Sequence, residues 1–258
     1  MPAKTPQDVI DAAVENGLKK SSLPAPRLIT MSIMAGAYIA LGGALSLIAG
    51  YGFPEAPTAL QKIISGCVFP IGLILIVILG GELFTGNNAM LIPAYMQRRY
   101  GIGAVMRNWS IVYFGNFIGA VAFAWMMVYI CGLTDVEPYK SAILRVAETK
   151  VSLSWTVIFF RGIGANWCVC LAVWLAMSGR RLSEKMLACW LPVMAFVVLG
   201  YEHCIANMFF IPLGMMQGAE VSIQVFVVNN LVPATLGNIV GGALFVGMPH
   251  AALYLRRR

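Results

Sequence analysis

Six apolar stretches, a repeated Gly-Asn-x-x-Gly pattern and two charged clusters inside otherwise apolar segments predict an all-α integral membrane protein. The same features predict inverted three-helix repeats with two broken helices. Of 258 residues, 59% are hydrophobic and 11% charged, and the mean hydropathy is +0.79, outside ordinary soluble usage. The stretches at 30–50, 62–92, 108–132, 153–178, 186–216 and 223–255 are each long enough to cross a hydrocarbon core of about 30 Å. They use nearly the whole chain, so one membrane domain, residues 30–258, is expected after a short N-terminal segment, residues 1–29.

That first segment is too polar for the apolar core of a signal peptide, so the chain is expected to insert by its own spans. Residues 5–20 carry helix signals: Thr5 to cap, Pro6 in the first turn, Asp8 near the positive end, and Lys19 and Lys20 at the C-terminal end. Ile10, Ala13, Val14 and Leu18 share a face, which suits a membrane-surface anchor or a regulatory element. Lys and Arg orient the spans. Lys4, Lys19, Lys20, Arg27, Arg98, Arg99, Arg107, Arg180, Arg181, Lys185, Arg256, Arg257 and Arg258 fall on one side, against Lys62, Lys140, Arg145 and Lys150 on the other. The positive-inside rule then places both termini in the cytoplasm. The formal charge of +7 is topogenic in this reading and is not a nucleic-acid footprint.

The repeat organises the spans. Gly115-Asn116-Phe117-Ile118-Gly119 in the third returns as Gly237-Asn238-Ile239-Val240-Gly241 in the sixth, with Glu82 34 residues before the first Asn and Glu202 36 before the second. Three spans per half is odd, so the halves enter the membrane in opposite senses. The glycines read as close-packing sites, available also to subunit association. The middle segment of each half runs 31 residues, too long for one straight span, and is interrupted by Gly80-Gly81-Glu82-Leu83-Phe84-Thr85-Gly86 or Gly200-Tyr201-Glu202-His203-Cys204-Ile205-Ala206-Asn207. Two half-helices joined by an irregular loop near the midplane are expected in each, with Pro70, Pro93, Pro192 and Pro212 at turns or kinks. The N-termini of the second half-helices would favour a small anion.

Ionisable groups at that depth cost several kcal/mol unless they serve a pathway, which implies transport. The Thr85 hydroxyl donates or accepts, and His203 is the side chain whose ordinary pKa permits proton exchange near neutrality. Together they could protonate a weak-acid anion so that it crosses an apolar constriction as the neutral acid, with Glu202, if ionised and close, favouring the charged ring. The plain alternative is a core histidine satisfied by Glu202 or a carbonyl. Cys67, Cys131, Cys168, Cys170, Cys189 and Cys204 contain no C-x-x-C and read as free apolar thiols, and no metal or cofactor site is expected. One buried His with scattered thiols does not make an enzyme. His250 reads as interfacial.

Gly81-Glu82-Leu83-Phe84-Thr85, the run Asn108 to Asn116, the run Asn166 to Trp174 and Gly200 to Met208 resemble the signatures of the formate/nitrite transporter family, in order and spacing over residues 5–255. That resemblance implies an aquaporin-like six-helix protomer and a homopentamer with one pore per protomer. It also implies bidirectional passage of formate, nitrite or hydrosulfide, or their acids, with protons, across the inner membrane of a prokaryote. The family's central His falls on His203, its loop Thr on Thr85 and its vestibule Lys on Lys150, the last expected to be an exposed attractor of anions. Glu202, Asn166 and Asn207 match the polar scaffold around the His. The apolar constrictions fall on Phe69, Leu73 and Phe196 on one side of it and on Leu83, Phe84 and Val169 on the other; as bare residues these six read as core packing. Arg161 either snorkels, pairs at a protomer interface or faces the pore.

The Asn-Trp-x-x-Val-Tyr-Phe-Gly-Asn run and the Ser178-Gly179-Arg180-Arg181-Leu182 loop resemble formate channels, whereas Gly86, Arg161 and Trp167 are similar to nitrite or hydrosulfide members. The loop from Gln217 to Ser222 is shorter than in the typical formate channel. A water or glycerol channel would share the architecture, but neither loop carries Asn-Pro-Ala.

Overall fold

The computed structural model describes residues 3–255, whose regular structure is helical throughout. Arg256, Arg257 and Arg258, counted above for orientation, lie outside the described residues. Helix α1 (Pro6–Ser21) precedes the first span, α2 (Ala25–Tyr51). The second element is Thr58–Leu79, divided at Pro70 into α3 (Thr58–Val68) and α4 (Ile71–Leu79). Short helices α5 (Phe84–Met90) and α6 (Ile92–Met96) complete that crossing, and α7 (Ile102–Tyr129) is the third. The second half repeats the plan with α9 (Trp155–Ser178), α10 (Leu182–Leu199), α11 (Cys204–Met216) and a long element, Ile223–Tyr254. Between the halves lies α8 (Tyr139–Ser152).

The last element contains α12 (Ile223–Val225), α13 (Val232–Ile239) and α14 (Met248–Tyr254), separated by π-helical stretches Phe226–Leu231 and Val240–Gly247. Six helices are long and apolar enough to cross a membrane among the described residues. The breaks fall where two glycines adopt left-handed backbone, Gly80 at φ 85° and Gly200 at φ 72°. A side chain at either would be strained, so the glycines end α4 and α10 and turn the chain into the loops 80–83 and 200–203.

Helix α1 is capped as its residues dictate. Asp8 N–H donates to the Thr5 hydroxyl at 3.2 Å, and the Asp8 carboxylate accepts from Thr5 N–H at 3.0 Å. Bonds from the Thr5 hydroxyl and then its backbone hold the Asp8 carboxyl below its ordinary range. The apolar face is not left for lipid, which corrects the surface-anchor expectation. Val9, Ile10 and Ala13 pack with Ala89, Met90, Trp174 and Ala251.

A second finding concerns α8, which lies between the third and fourth stretches expected from sequence. Ala142, Ile143 and Ala147 are buried along one face, which packs on α11. A third concerns the glycine seams. A Cβ on Gly119 would overlap the Ile33 carbonyl, and one on Gly237 the Phe159 carbonyl. The backbones of α2 and α7, and of α9 and α13, therefore touch within the protomer, and these seams are not free for subunit contact.

Candidate functional site

Two matched polar braces hold the broken helices. Asn116 Nδ2 reaches Ser32 O at 2.7 Å and Glu82 O at 2.9 Å, while its Oδ1 accepts from Phe84 N–H at 2.9 Å. In the other half Asn238 Nδ2 reaches Gly162 O at 2.8 Å and Glu202 O at 2.9 Å, and its Oδ1 accepts from Cys204 N–H at 2.8 Å. Each Asn thus bonds the backbone on both sides of a loop that would otherwise expose bare donors and acceptors in an apolar medium. The carboxylates are held likewise. Glu82 accepts from Lys20 Nζ and Asn87 Nδ2, both at 2.7 Å, Asn87 also donates to Asn108 Oδ1, and Asn108 donates to Lys20 O. Glu202 accepts from Lys150 Nζ at 3.1 Å through both oxygens and from Asn207 Nδ2 at 2.7 Å; Asn207 donates to Asn230 Oδ1, and Asn230 to Lys150 O.

Lys150 is therefore not a solvated loop charge. It ends α8 with its side chain 16% exposed, ion-paired to Glu202. The half-helix N-termini are partly capped: Asn116 takes the Phe84 N–H of α5, and Asn238 and His203 take those of Cys204 and Ala206 in α11.

At the centre, His203 caps α11: its Nδ1 accepts from Ala206 N–H at 3.1 Å. A nitrogen that accepts cannot carry a proton, so the neutral ring holds its hydrogen on Nε2, which lies 3.0 Å from Thr85 Oγ1 and donates to it. Asn166 Nδ2 reaches Thr85 O at 3.1 Å and Asn238 O at 2.6 Å, tying the Thr85 turn to the opposite half. Glu202 has no bond to the ring; its partners are Lys150, Asn207 and Asn230. Adjacent residues in extended backbone point to opposite sides.

Two cavities flank this centre. The one on the face bearing α1, called proximal, has a volume of ≈ 410 Å³ and is lined by four cations, Lys19, Lys20, Arg27 and Lys185, and one acid, Glu82. The distal one, of ≈ 390 Å³, has Lys62, Arg145, Lys150 and Arg161 with Glu202. Both are electropositive with low-dielectric walls, a field that concentrates anions. His203 lines the distal cavity, as do Phe69 and Phe196, whose rings meet edge-on at 5.6 Å, with Phe196 lying nearly parallel to the imidazole at 5.8 Å. Leu73, expected beside them, lines the proximal cavity with Leu83 because it sits one turn further along past Pro70. Phe84 and Val169 are buried but line neither cavity; Phe84 packs edge-on against Tyr113 at 4.9 Å.

Sequence reasoning missed Lys20, Asn87, Asn108 and Asn230. The repeat held the signal: Asn87 and Asn207 each follow the loop Glu by five residues, and Asn108 and Asn230 each precede the Gly-Asn-x-x-Gly Asn by eight. It also missed Cys170, whose thiol lies 3.3 Å from Thr85 O. Arg161 neither snorkels nor faces lipid alone, since it lines the distal cavity and donates to Gly200 O at 3.4 Å.

Inverted repeats, two broken crossings and a buried polar centre between charged vestibules define a polytopic membrane transport protein. Residues 7–252 match the sequence profile described as formate/nitrite transporter. A probable formate transporter of Methanothermobacter thermautotrophicus is 40% identical over 98% of both chains. The formate channel FocA of Escherichia coli K12 is 34% identical over 97% of this chain and 94% of its own. Among solved structures, an FNT family ion channel superposes with a TM-score of 0.87 at 30% identity, covering 95% of this chain and 98% of that one. A pentameric formate channel with formate bound superposes at 0.79 and 33% identity, covering 90% and 98%. The chain belongs to the formate/nitrite transporter family and is a transport protein, not an enzyme.

Proposed function

We propose that the protein conducts formate, passed as the neutral acid at a constriction between two electropositive vestibules, with His203 and Thr85 as the proton relay. The observation that carries this reading is the Nε2-to-Thr85 bond at 3.0 Å with Nδ1 already accepting from Ala206. A proton taken up at Nδ1, at the cost of the Ala206 contact, sends the Nε2 proton to Thr85 Oγ1 and the Thr85 proton to a carboxylate oxygen. The ring, left with its proton on Nδ1, returns to the starting form by releasing that proton to water of the distal vestibule and taking one at Nε2, with no net gain or loss, and Nδ1 again accepts from Ala206 N–H. A bare anion pays a heavy desolvation cost among Phe69, Phe196, Leu73 and Leu83, whereas the neutral acid pays far less.

In this reading the protein is a homopentamer with one pore per protomer, as the pentameric neighbour is. The proximal face is cytoplasmic, following the Lys and Arg bias, and the membrane is the inner membrane of a prokaryote. Helix α1 and the linker after it close the proximal mouth through Lys20, and the spans from α2 onward form the pore. Lys150 and Lys20 hold the glutamates and leave the other vestibule cations to gather anions.

The test records radiolabelled formate and a pH dye together in proteoliposomes, across external pH ~5 to ~8, around the ordinary His range. Wild-type uptake should rise as the outside is acidified and should alkalinise the outer medium. His203→Asn should keep the pentamer by native mass spectrometry but lose proton movement. Unchanged formate and proton flux in that variant returns His203 to a structural cap. Nitrite or hydrosulfide flux exceeding formate in the wild type would reassign the substrate.

A further inference from the structure

We infer that Arg161 forms a fork-shaped anion subsite in the distal vestibule that has no counterpart in the proximal one; the inference rests on the formate reading above. The repeat supplies the comparison. Glu202 N–H donates to Arg161 O at 3.3 Å, and Glu82 N–H donates to Met31 O at 3.2 Å, so Arg161 and Met31 hold equivalent places, each lining its own vestibule. One vestibule therefore has a guanidinium where the other has a thioether.

That guanidinium is half-buried, and its one hydrogen bond among the described residues is from Nη1 to Gly200 O at 3.4 Å. A guanidinium has five N–H donors in a planar fork, so most of its capacity is unspent. Glu202, the only carboxylate lining this cavity, is taken at both oxygens by Lys150. Lys62 adds a second cation at the same turn, its Nζ 4.0 Å from where a Gly200 Cβ would stand. The chemistry matches a small planar oxyanion with two oxygens on one edge, a carboxylate or nitrite, better than a spherical or single-atom anion.

The experiment measures half-saturation from each face separately, in right-side-out and inside-out vesicles, with formate and with hydrosulfide. Arg161→Met, which copies the proximal residue, should raise the distal half-saturation for formate about 5- to 10-fold and leave the proximal value unchanged. Hydrosulfide should shift less than about twofold, and Arg161→Lys should restore the hydrosulfide value fully but the formate value only in part. Equal shifts at both faces, or full rescue of formate by Lys, would overturn the fork. If Arg161→Met fails to assemble, the Lys variant alone decides, since a subsite requires a formate-specific distal shift and a merely structural contact does not. No formate flux in the wild type would defeat the functional reading and this subsite with it, whereas flux insensitive to Arg161 defeats only the subsite.

Discussion

Replacing Lys150 by Met leaves the Glu202 carboxylate, 4% exposed, with two amide donors and without its ion-pair partner. Breaking a fully buried ion pair by removing one partner costs about 3–5 kcal/mol. Here the ammonium is 16% exposed to the distal vestibule, so water relieves part of the loss and about 2–3 kcal/mol is expected. For a chain of this size that lowers the unfolding temperature by roughly 4–12 °C. Glu202→Gln should lose a similar amount, because it strands the ammonium instead. The double variant Lys150→Met/Glu202→Gln removes both charges while keeping an acceptor for Asn207. It should recover most of the loss, giving a coupling of about 1.5 kcal/mol or more. Thermal unfolding of the four detergent-purified proteins, followed by tryptophan fluorescence, measures the cycle. The parallel cycle at Lys20 and Glu82, 2.7 Å apart with the Lys 21% exposed, should agree within about 0.5 kcal/mol. Additive losses in either cycle would refute the claim that each pair is a closed unit.

Leu73→Ala removes an apolar side chain that is 2% exposed between the vestibules, so acetate should leak faster relative to formate in liposome flux; unchanged size discrimination would take Leu73 out of the barrier. Asn238→Ala strands the Cys204 N–H and two carbonyls and should cost about 2–4 kcal/mol in thermal unfolding, with Asn116→Ala close behind; a loss at only one would mean that the halves are not braced alike. Gly119→Ala should sharply reduce folded yield by driving a methyl into the Ile33 carbonyl, while Gly103→Ala, which meets open space, should leave it unchanged.

The spans, the two breaks and the pairing of halves were legible because each has a local sign: an apolar run, a glycine beside a charge, a repeated Asn between glycines. What escaped was set by distant partners. Lys20 has a sufficient local explanation as a charge at a helix end, and its carboxylate lies 62 residues away. Helix α8 is too short and polar to read as a span, and its apolar face has meaning only once α11 covers it. Glu202 and His203 invite coupling by adjacency, yet extended backbone turns one to Lys150 and the other to Thr85. Leu73 lies one helical turn past Phe69, and that turn carries it from the cavity lined by Phe69 and Phe196 to the other, a distance that periodicity does not resolve.

The two loops carry the same Glu and Asn five residues apart, but Leu83 stands where the other copy has His203, and Thr85 faces Ile205 across the duplication. Duplication has thus separated two jobs that a single loop would have to combine. One copy supplies the imidazole and the other the hydroxyl 3.0 Å from it, each on the same Glu and Asn frame. The chain contains its own control at Leu83, where the same Glu and Asn frame stands without an imidazole. Exchanging the pairs, with L83H and I205T against H203L and T85I, would move the imidazole to the other loop while leaving the Asn116 and Asn238 braces in place, and the cap at Ala206 N–H would go with it. In the proposed relay, which loop carries the imidazole is then a matter of four side chains and not of the fold.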